Sequence, residues 1–335
     1  MTDERTVVRY GAIVTTRSSV SHIGEASGVD SPFRREKIVA GDVIEEVPVY
    51  SGNAMRGLLR DHGAAFMLES IGGGSVEEKM QWLAFLFGDV ERATAPQPYT
   101  VMLKRFYQLF SGGALDKKKK GDSSAPLDLG KADRLRSLAP FVAVWGAAIG
   151  NQMLSGLLKC GKLIVIAREN EHLLPPDVVE KASGGTWQLP SVHDVMSIES
   201  YVRTDDAKDA RKRGYIQNAP VDEDKAPQQM RYHIETLAAG TKLWWKTTLE
   251  MANELERAAW ETAIVRWGKN PIIGGKGGVG HGLVSMEGDG LRDSVPIVVD
   301  ATGGETMPDS RQRVEAYMQH LIEHADEIRA LLSAE

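Results

Sequence analysis

Residues 242–249 read Lys242-Leu243-Trp244-Trp245-Lys246-Thr247-Thr248-Leu249. Leu243, Trp245, Thr247 and Leu249 alternate with Trp244, Lys246 and Thr248, the period of a strand with one face inward. From Glu250 to Trp267 the period lengthens to that of a helix, with Leu255, Ala258, Ala259, Thr262 and Val265 inside. A glycine-dense loop follows, Gly274-Gly275-Lys276-Gly277-Gly278-Val279-Gly280-His281-Gly282, and then a strand, Leu283–Met286.

Outward from this block, Tyr232–Leu237 reads as the hairpin partner of Lys242–Leu249, turning at Ala238-Ala239-Gly240. Val7–Thr16 is a strand with Val8, Tyr10, Ala12 and Val14 on one face. Arg17 to Pro48 is rich in turn formers and reads as a long loop, of a length usually tied to function. Ser51–Leu68 is a helix striped by Met55, Leu58, Leu59, His62 and Phe66, with Ser51 or Asn53 placed to cap it. Arg56 and Arg60 share one of its faces. Val76 to Lys159 is mostly helical, including Lys131–Leu158, around a solvated run at Lys117–Lys120. Leu163–Ala167 and Val192–Val202 read as strands. Arg203–Arg231 is a hydrophilic projection, and Pro308–Leu332 a closing helix striped by Val314, Met318, Leu321, Ala325, Ile328 and Leu332. Without the insertions the order is β-α-β-β-α-β, an α+β fold with a ferredoxin-like core.

Composition narrows the function. The chain has 335 residues, 42% of them hydrophobic and 26% charged, as in ordinary globular proteins. No apolar run approaches the roughly 20 residues that span a bilayer. The N-terminus has no apolar signal core, so the expected compartment is the cytoplasm. Cys160 is the single cysteine, which excludes an intrachain disulfide and a cysteine-built zinc site. The formal net charge is -6. Nucleic acid would therefore need a local basic stripe.

No catalytic constellation emerges. The glycine loop lacks the Ser or Thr of a P-loop and leads into a strand rather than a helix. Its glycines let backbone approach a neighbour closely, with N–H groups and Lys276 available to phosphate. The plainer reading is a bulge packed on the first helix. His320 and His324 lie four apart with no third metal ligand, on what reads as a solvated face. Cys160, after an apolar helix, reads as a small buried hydrophobe. Lys208, Arg211, Lys212 and Arg213 sit with Tyr215 and Met230 in the projection, where apolar residues could wedge against bases.

Two segments carry a resemblance. The first is His22-Ile23-Gly24-Glu25-Ala26-Ser27-Gly28-Val29-Asp30-Ser31-Pro32-Phe33-Arg34-Arg35 with Val47-Pro48-Val49-Tyr50-Ser51-Gly52-Asn53-Ala54-Met55-Arg56-Gly57-Leu58-Leu59-Arg60. The second is the loop Gly274–Gly282. Together they resemble the RAMP superfamily of CRISPR ribonucleoprotein subunits, and within it the backbone proteins of the type IV branch, the Csf-type. The resemblance implies a hand-like molecule. Its RRM-like palm would comprise residues 1–75, 161–202 and 232–335, its helical finger 76–160 and its β-hairpin thumb 203–231.

The implied partners are crRNA or another small RNA, further copies of the chain in a helical homo-oligomer and other effector subunits. Target nucleic acid, DNA rather than RNA, would be met through guide pairing, with no membrane. RNA contacts are implied at Arg17, His22, Ser51, Asn53, Arg56 and Arg60, at Lys208, Arg211, Lys212, Arg213 and Met230, and at Gly275, Lys276, Gly277 and Gly278. Type III relatives cleave target RNA with an aspartate just after the HIG stretch. Here Glu25 stands there and Asp30 belongs to the VDSP match. No catalytic residue, cofactor or metal is therefore expected. The rival readings are a type III-like RNA endonuclease, a phosphate-binding enzyme using the glycine loop, and a scaffold protein without nucleic acid.

Overall fold

The computed structural model describes residues 4–26, 28–72, 129–149, 152–186, 188–203 and 230–333. Most of the expected finger, and residues 204–229 with Lys208, Arg211, Lys212, Arg213 and Tyr215, lie outside these.

The architecture is α+β. The first strand, β1 (Thr6–Thr16), is followed by a two-residue strand β2 (Asp30–Ser31), a hairpin of β3 (Arg35–Ala40) and β4 (Val43–Tyr50), and helix α1 (Gly52–Ile71). Then come α2 (Leu129–Leu138), α3 (Pro140–Trp145), the short pair β5 (Ala147–Ile149) and β6 (Gln152–Leu154), β7 (Leu158–Val165) and α4 (Pro176–Ser183). The remainder is β8 (Met196–Arg203), β9 (Met230–Leu237), β10 (Lys242–Ala252), α5 (Glu254–Trp267), β11 (Val284–Gly288), β12 (Val295–Pro296), α6 (Arg311–Glu323) and α7 (Ala325–Ser333).

Among the described residues the main sheet runs β11-β1-β10-β7-β4-β3, with β12 also on β1, and a second sheet runs β2-β9-β8. In the main sheet β1 lies antiparallel between β10 and β11, with Ala12 opposite both Trp245 and Gly288. Alternation then decides the faces. Tyr10, Ala12, Val14, Leu243, Trp245 and Leu249 point to one side, where they join Met55 and Leu59 of α1 and Trp260 and Ile264 of α5 in the main core. Ile13 points to the other side, into a smaller core with Ile166, Leu174, Val178, Val179 and Ala182.

The helix α5 is capped at Asn253, whose side chain accepts from Glu256 N while Glu256 reaches back to Asn253 N, a capping box. Its buried arc is wider than the expected stripe and includes two glutamates. Glu261 is fully buried. It accepts from Tyr10 Oη at 2.9 Å, Arg257 Nε at 3.0 Å and Arg313 Nε at 2.6 Å. Burial and the Glu261 charge raise the Tyr10 phenol well above its ordinary range.

Several expectations need correction. The long loop 17–48 contains β2, β3 and most of β4. The helix expected over Lys131–Leu158 ends at Trp145, because Gly146 takes a left-handed φ of 78° and the chain turns into β5 and β6. Cys160 therefore lies on a strand, half-buried, and burial pushes its thiol up to about 12. Met230–Leu237 and Lys242–Ala252 do not pair as a hairpin: β9 pairs with β8 and β10 with β1. The closing helix breaks at His324 into α6 and α7; among the described residues Tyr317, Leu321, Ala325 and Ile328 are buried there, with Met318 exposed. Ser51 occupies the N-cap of α1 without a side-chain capping bond, and Asn53 is already inside the helix. His320 and His324 are half-buried rather than on a solvated face, their rings stacked 4.5 Å apart.

Replacing Glu261 by Ala strips Tyr10, Arg257 and Arg313 of their shared acceptor. Breaking a buried charge pair costs roughly 3–5 kcal/mol. Urea unfolding of Glu261→Ala is expected to show a loss of that order; an unchanged midpoint would remove this cluster from the stabilising contacts.

Candidate nucleic-acid interface

The chain leaving β1 runs alongside the glycine loop. Arg17 N donates to Leu283 O at 2.7 Å, Gly282 N to Ser19 O at 2.8 Å and Gly275 N to Ser21 O at 3.1 Å. Ser21 Oγ returns a bond to Gly275 O at 2.9 Å. A Cβ at Gly274 would stand 2.1 Å from Ser21 O, on a backbone with φ of 75°. This close approach is what the glycine supplies. The loop thus rests on Ser18–His22 rather than on α1, and α1 faces it across an open cleft lined by His22, Ile23, Tyr50, Ala54, Leu58, Gly274 and Gly275.

A relay of contacts spans the cleft. Ser51 N, at the start of α1, donates to His22 Nε2 at 3.1 Å. The His22 ring lies on Tyr50, centroids 4.4 Å apart. Tyr50 Oη accepts from Gly274 N at 2.9 Å. Burial, with the nearby Arg34 charge, holds His22 below the usual imidazole range. The neutral ring keeps the lone pair that Ser51 N–H requires. Gly52 is wedged against β7, where a Cβ would meet Cys160 O and Gly161 O at 2.6 Å. Asn53 is exposed beside it. As Met55 N donates to Ser51 O, the N–H groups of Gly52, Asn53 and Ala54 precede the helical ladder.

The expected arginines are more committed than their sequence positions suggest. Arg56 is half-buried and donates to Trp145 O. Burial, with the charge of Arg60, lowers it from the usual guanidinium range. Arg60 donates to Asp61 Oδ1 at 3.3 Å. Arg17 is exposed, its Nε donating to Ser285 Oγ of β11 at 3.0 Å. Gly277 and Gly278 form a short 3-10 turn with Val279, and Gly278 has open space around it. Glu25 is exposed.

Lys276 takes a left-handed φ of 64°, which lays its side chain toward the second sheet. Its Nζ sits 4.8 Å above the Tyr232 ring. Tyr232 and Tyr201 are a cross-strand pair on β9 and β8, stacked at 5.6 Å. His281, buried, lies 3.2 Å from Glu199 and also contacts Tyr201 Oη. Met230 opens β9 opposite Arg203. Sequence reasoning missed Tyr50, Tyr201, Tyr232 and His281. The aromatic residues nearest the two motifs were the available signal, but only the cross-strand register brings them to the loop. Among the described residues no group of three or more His, Cys, Asp and Glu is placed to hold a metal ion. No helix among them is long and apolar enough to cross a membrane.

Burial likewise lowers His62 and His320. With folded values below the unfolded one of about 6.5, the unfolded chain binds more protons as pH falls through that point. Stability is then full above about pH 7 and declines below about 6.5. Melting at pH 7.5 and 5.5 is expected to show this fall, and an equal melting temperature at both would contradict it. Gly274→Ala is expected to cost about 1–3 kcal/mol through its forced left-handed backbone, read as a lower urea midpoint.

No family model matches the chain, and no curated protein does. Among solved structures it is similar to a chain described as "Type IV-B CRISPR Complex", at 22% identity and a TM-score of 0.49, over 86% of this chain and 94% of that one. It is also similar to the crystal structure of Thermofilum pendens Csc2, at 12% identity and a TM-score of 0.38, over 99% and 87% of the two chains.

Proposed function

We propose that this chain is a non-catalytic backbone subunit of a type IV CRISPR effector, which binds guide RNA, oligomerises along it and presents it for pairing. The observation that carries this reading is the meeting of the two motif segments. Tyr50 and Gly274 are 224 positions apart in the chain and bonded to each other across one cleft. Of the residues the resemblance marks for RNA, His22 and Gly275 line that cleft, Ser51 is bonded to His22, and Lys276 follows Gly275 in the loop.

The chemistry of that surface suits a phosphate chain rather than a particular base sequence. A helix N-terminus and an ammonium group favour anions without reading base edges. Sequence specificity would then come from guide pairing. The strand order β11-β1-β10-β7 is that of a β-α-β-β-α-β palm, which supports the ferredoxin-like reading. Antiparallel β8 and β9, flanking residues 204–229, support a thumb there. In this reading residues 76–160 are the finger, the basic run Lys208–Arg213 belongs to the thumb, and the protein works in the cytoplasm with other effector subunits.

The test is purification without nuclease, followed by the absorbance ratio at 260 and 280 nm and binding of added RNA at low salt. Ribonuclease-sensitive fragments on the particle are expected. Failure of the purified chain to bind added RNA at low salt would overturn the reading. Lys276→Ala is expected to lower the slope of log affinity against log salt by about 0.7, the value for one phosphate of a single strand. Arg56→Glu is expected to weaken binding to all RNA sequences alike. Complementary RNA with divalent metal is expected to stay intact; spaced cleavage products lost in Glu25→Ala would favour the endonuclease reading.

A further inference from the structure

In the run Gly275-Lys276-Gly277-Gly278 the left-handed backbone falls on the lysine, at a φ of 64°, and on none of the three glycines. A side chain at such a position carries a backbone cost that glycine would avoid. Strain of this kind clusters at functional sites. The loop thus keeps its one ammonium group at the place where a side chain is least welcome.

The strained unit is fixed from both sides. Val279 N and His281 N both donate to Lys276 O, at 3.0 Å and 3.3 Å. His281 is buried against β8, 3.2 Å from Glu199 and in contact with Tyr201 Oη. The loop is thereby pinned to the second sheet, and the lysine side chain goes with it. Gly274 and Gly275 line the cleft. The ammonium of the next residue lies elsewhere: 4.8 Å from the centroid of the Tyr232 ring, 5.9 Å from that of Tyr201 and 3.5 Å from Tyr232 Oη. Those partners are uncharged, so the ammonium keeps its charge for an anion. A cation on a partly exposed ring is held weakly, and a phosphate oxygen is the stronger partner.

We propose that the Tyr201–Tyr232 pair is a rest position for Lys276, which the lysine leaves to meet a phosphate of the bound strand. The contact given up is subtracted from the binding free energy. Tyr232 is therefore an affinity-setting residue that touches the cation rather than the RNA. This rests on the RNA-binding reading above and deepens it, by assigning a brake to the same site.

The probe is a single-stranded oligouridylate at low salt. Tyr232→Leu removes the ring and is expected to bind about two- to fivefold tighter than the unaltered chain, the worth of one exposed cation–ring contact. Tyr232→Phe keeps the ring and is expected to gain less. With Lys276→Met already present, Tyr232→Leu is expected to bring no gain. Circular dichroism and melting check that the second sheet is intact in each variant.

A second measurement follows the lysine itself, in chain reductively methylated with carbon-13. The Lys276 resonance is identified by its loss in Lys276→Met. It is expected to be shifted upfield by the ring in the free chain, and to move to the ordinary lysine position on adding the oligouridylate. This measurement decides alone should Tyr232→Leu fail to fold. Equal or weaker binding by a folded Tyr232→Leu, a gain that survives Lys276→Met, or a Lys276 signal that stays shifted in the RNA-bound chain would each overturn the rest position and leave RNA binding standing. Absence of binding by the unaltered chain would overturn the proposed function, and the rest position with it.

Discussion

One carboxylate holds the two layers of this protein together. Glu261 lies on the inner face of α5, at 0% exposure, and binds groups from three elements: Tyr10 on β1, Arg257 on its own helix and Arg313 on α6. A buried charge is tolerated only when paired and fully hydrogen-bonded. The cluster therefore demands a definite seating of α5 on the sheet and of α6 on α5. Apolar contacts around Trp145, Trp245 and Trp260 supply bulk adhesion but would accept small slips. The glutamate would not, since its acceptor geometry is met in one register.

From that seating the site follows. α5 delivers the chain to the glycine loop, and the loop must reach the segment after β1 at backbone contact distance. Gly274 permits it, standing where a Cβ would lie 2.1 Å from Ser21 O, while at Gly282 a Cβ would lie 2.1 Å from Ile273 O across the loop's own stem. Tyr50 and His22 then tie the loop to the start of α1. The start of α1 and the glycine loop thus face one another across the cleft, while many carboxylates of this acidic protein are paired with neighbouring arginines and lysines. Arg5–Glu256, Arg35–Glu235 and Arg266–Glu69 are examples.

Periodicity made α1 legible and picked out Val8, Tyr10, Ala12 and Val14 of β1, although Ile13 enters a second core from the opposite face. It failed where burial was not one-sided. The β3–β4 hairpin reads as loop because Glu36, Lys37, Glu45 and Glu46 break the alternation, as edge strands tend to. The Lys131–Leu158 stretch reads as one helix because its apolar residues continue past Gly146, although the backbone does not. Tyr232–Leu237 and Lys242–Leu249 look like a local hairpin, but Leu237 exchanges backbone bonds with Val20 at 2.9 Å instead. Of the site, the glycine loop and the His22 segment were visible as motifs. Their meeting was not, since no local pattern encodes a contact across two hundred residues.

The order of synthesis meets a constraint in the placement of β1. Its neighbours in the sheet, β10, β11 and β12, all lie beyond residue 241. At a translation speed of roughly 5–20 residues per second, some ten to fifty seconds separate the emergence of the first strand from that of its partner β10. Through that interval Tyr10, Ala12 and Val14 have no main-sheet partner to pair with. The cleft, too, comes into being only when the last third has been made, since Gly274 and Gly275 line it.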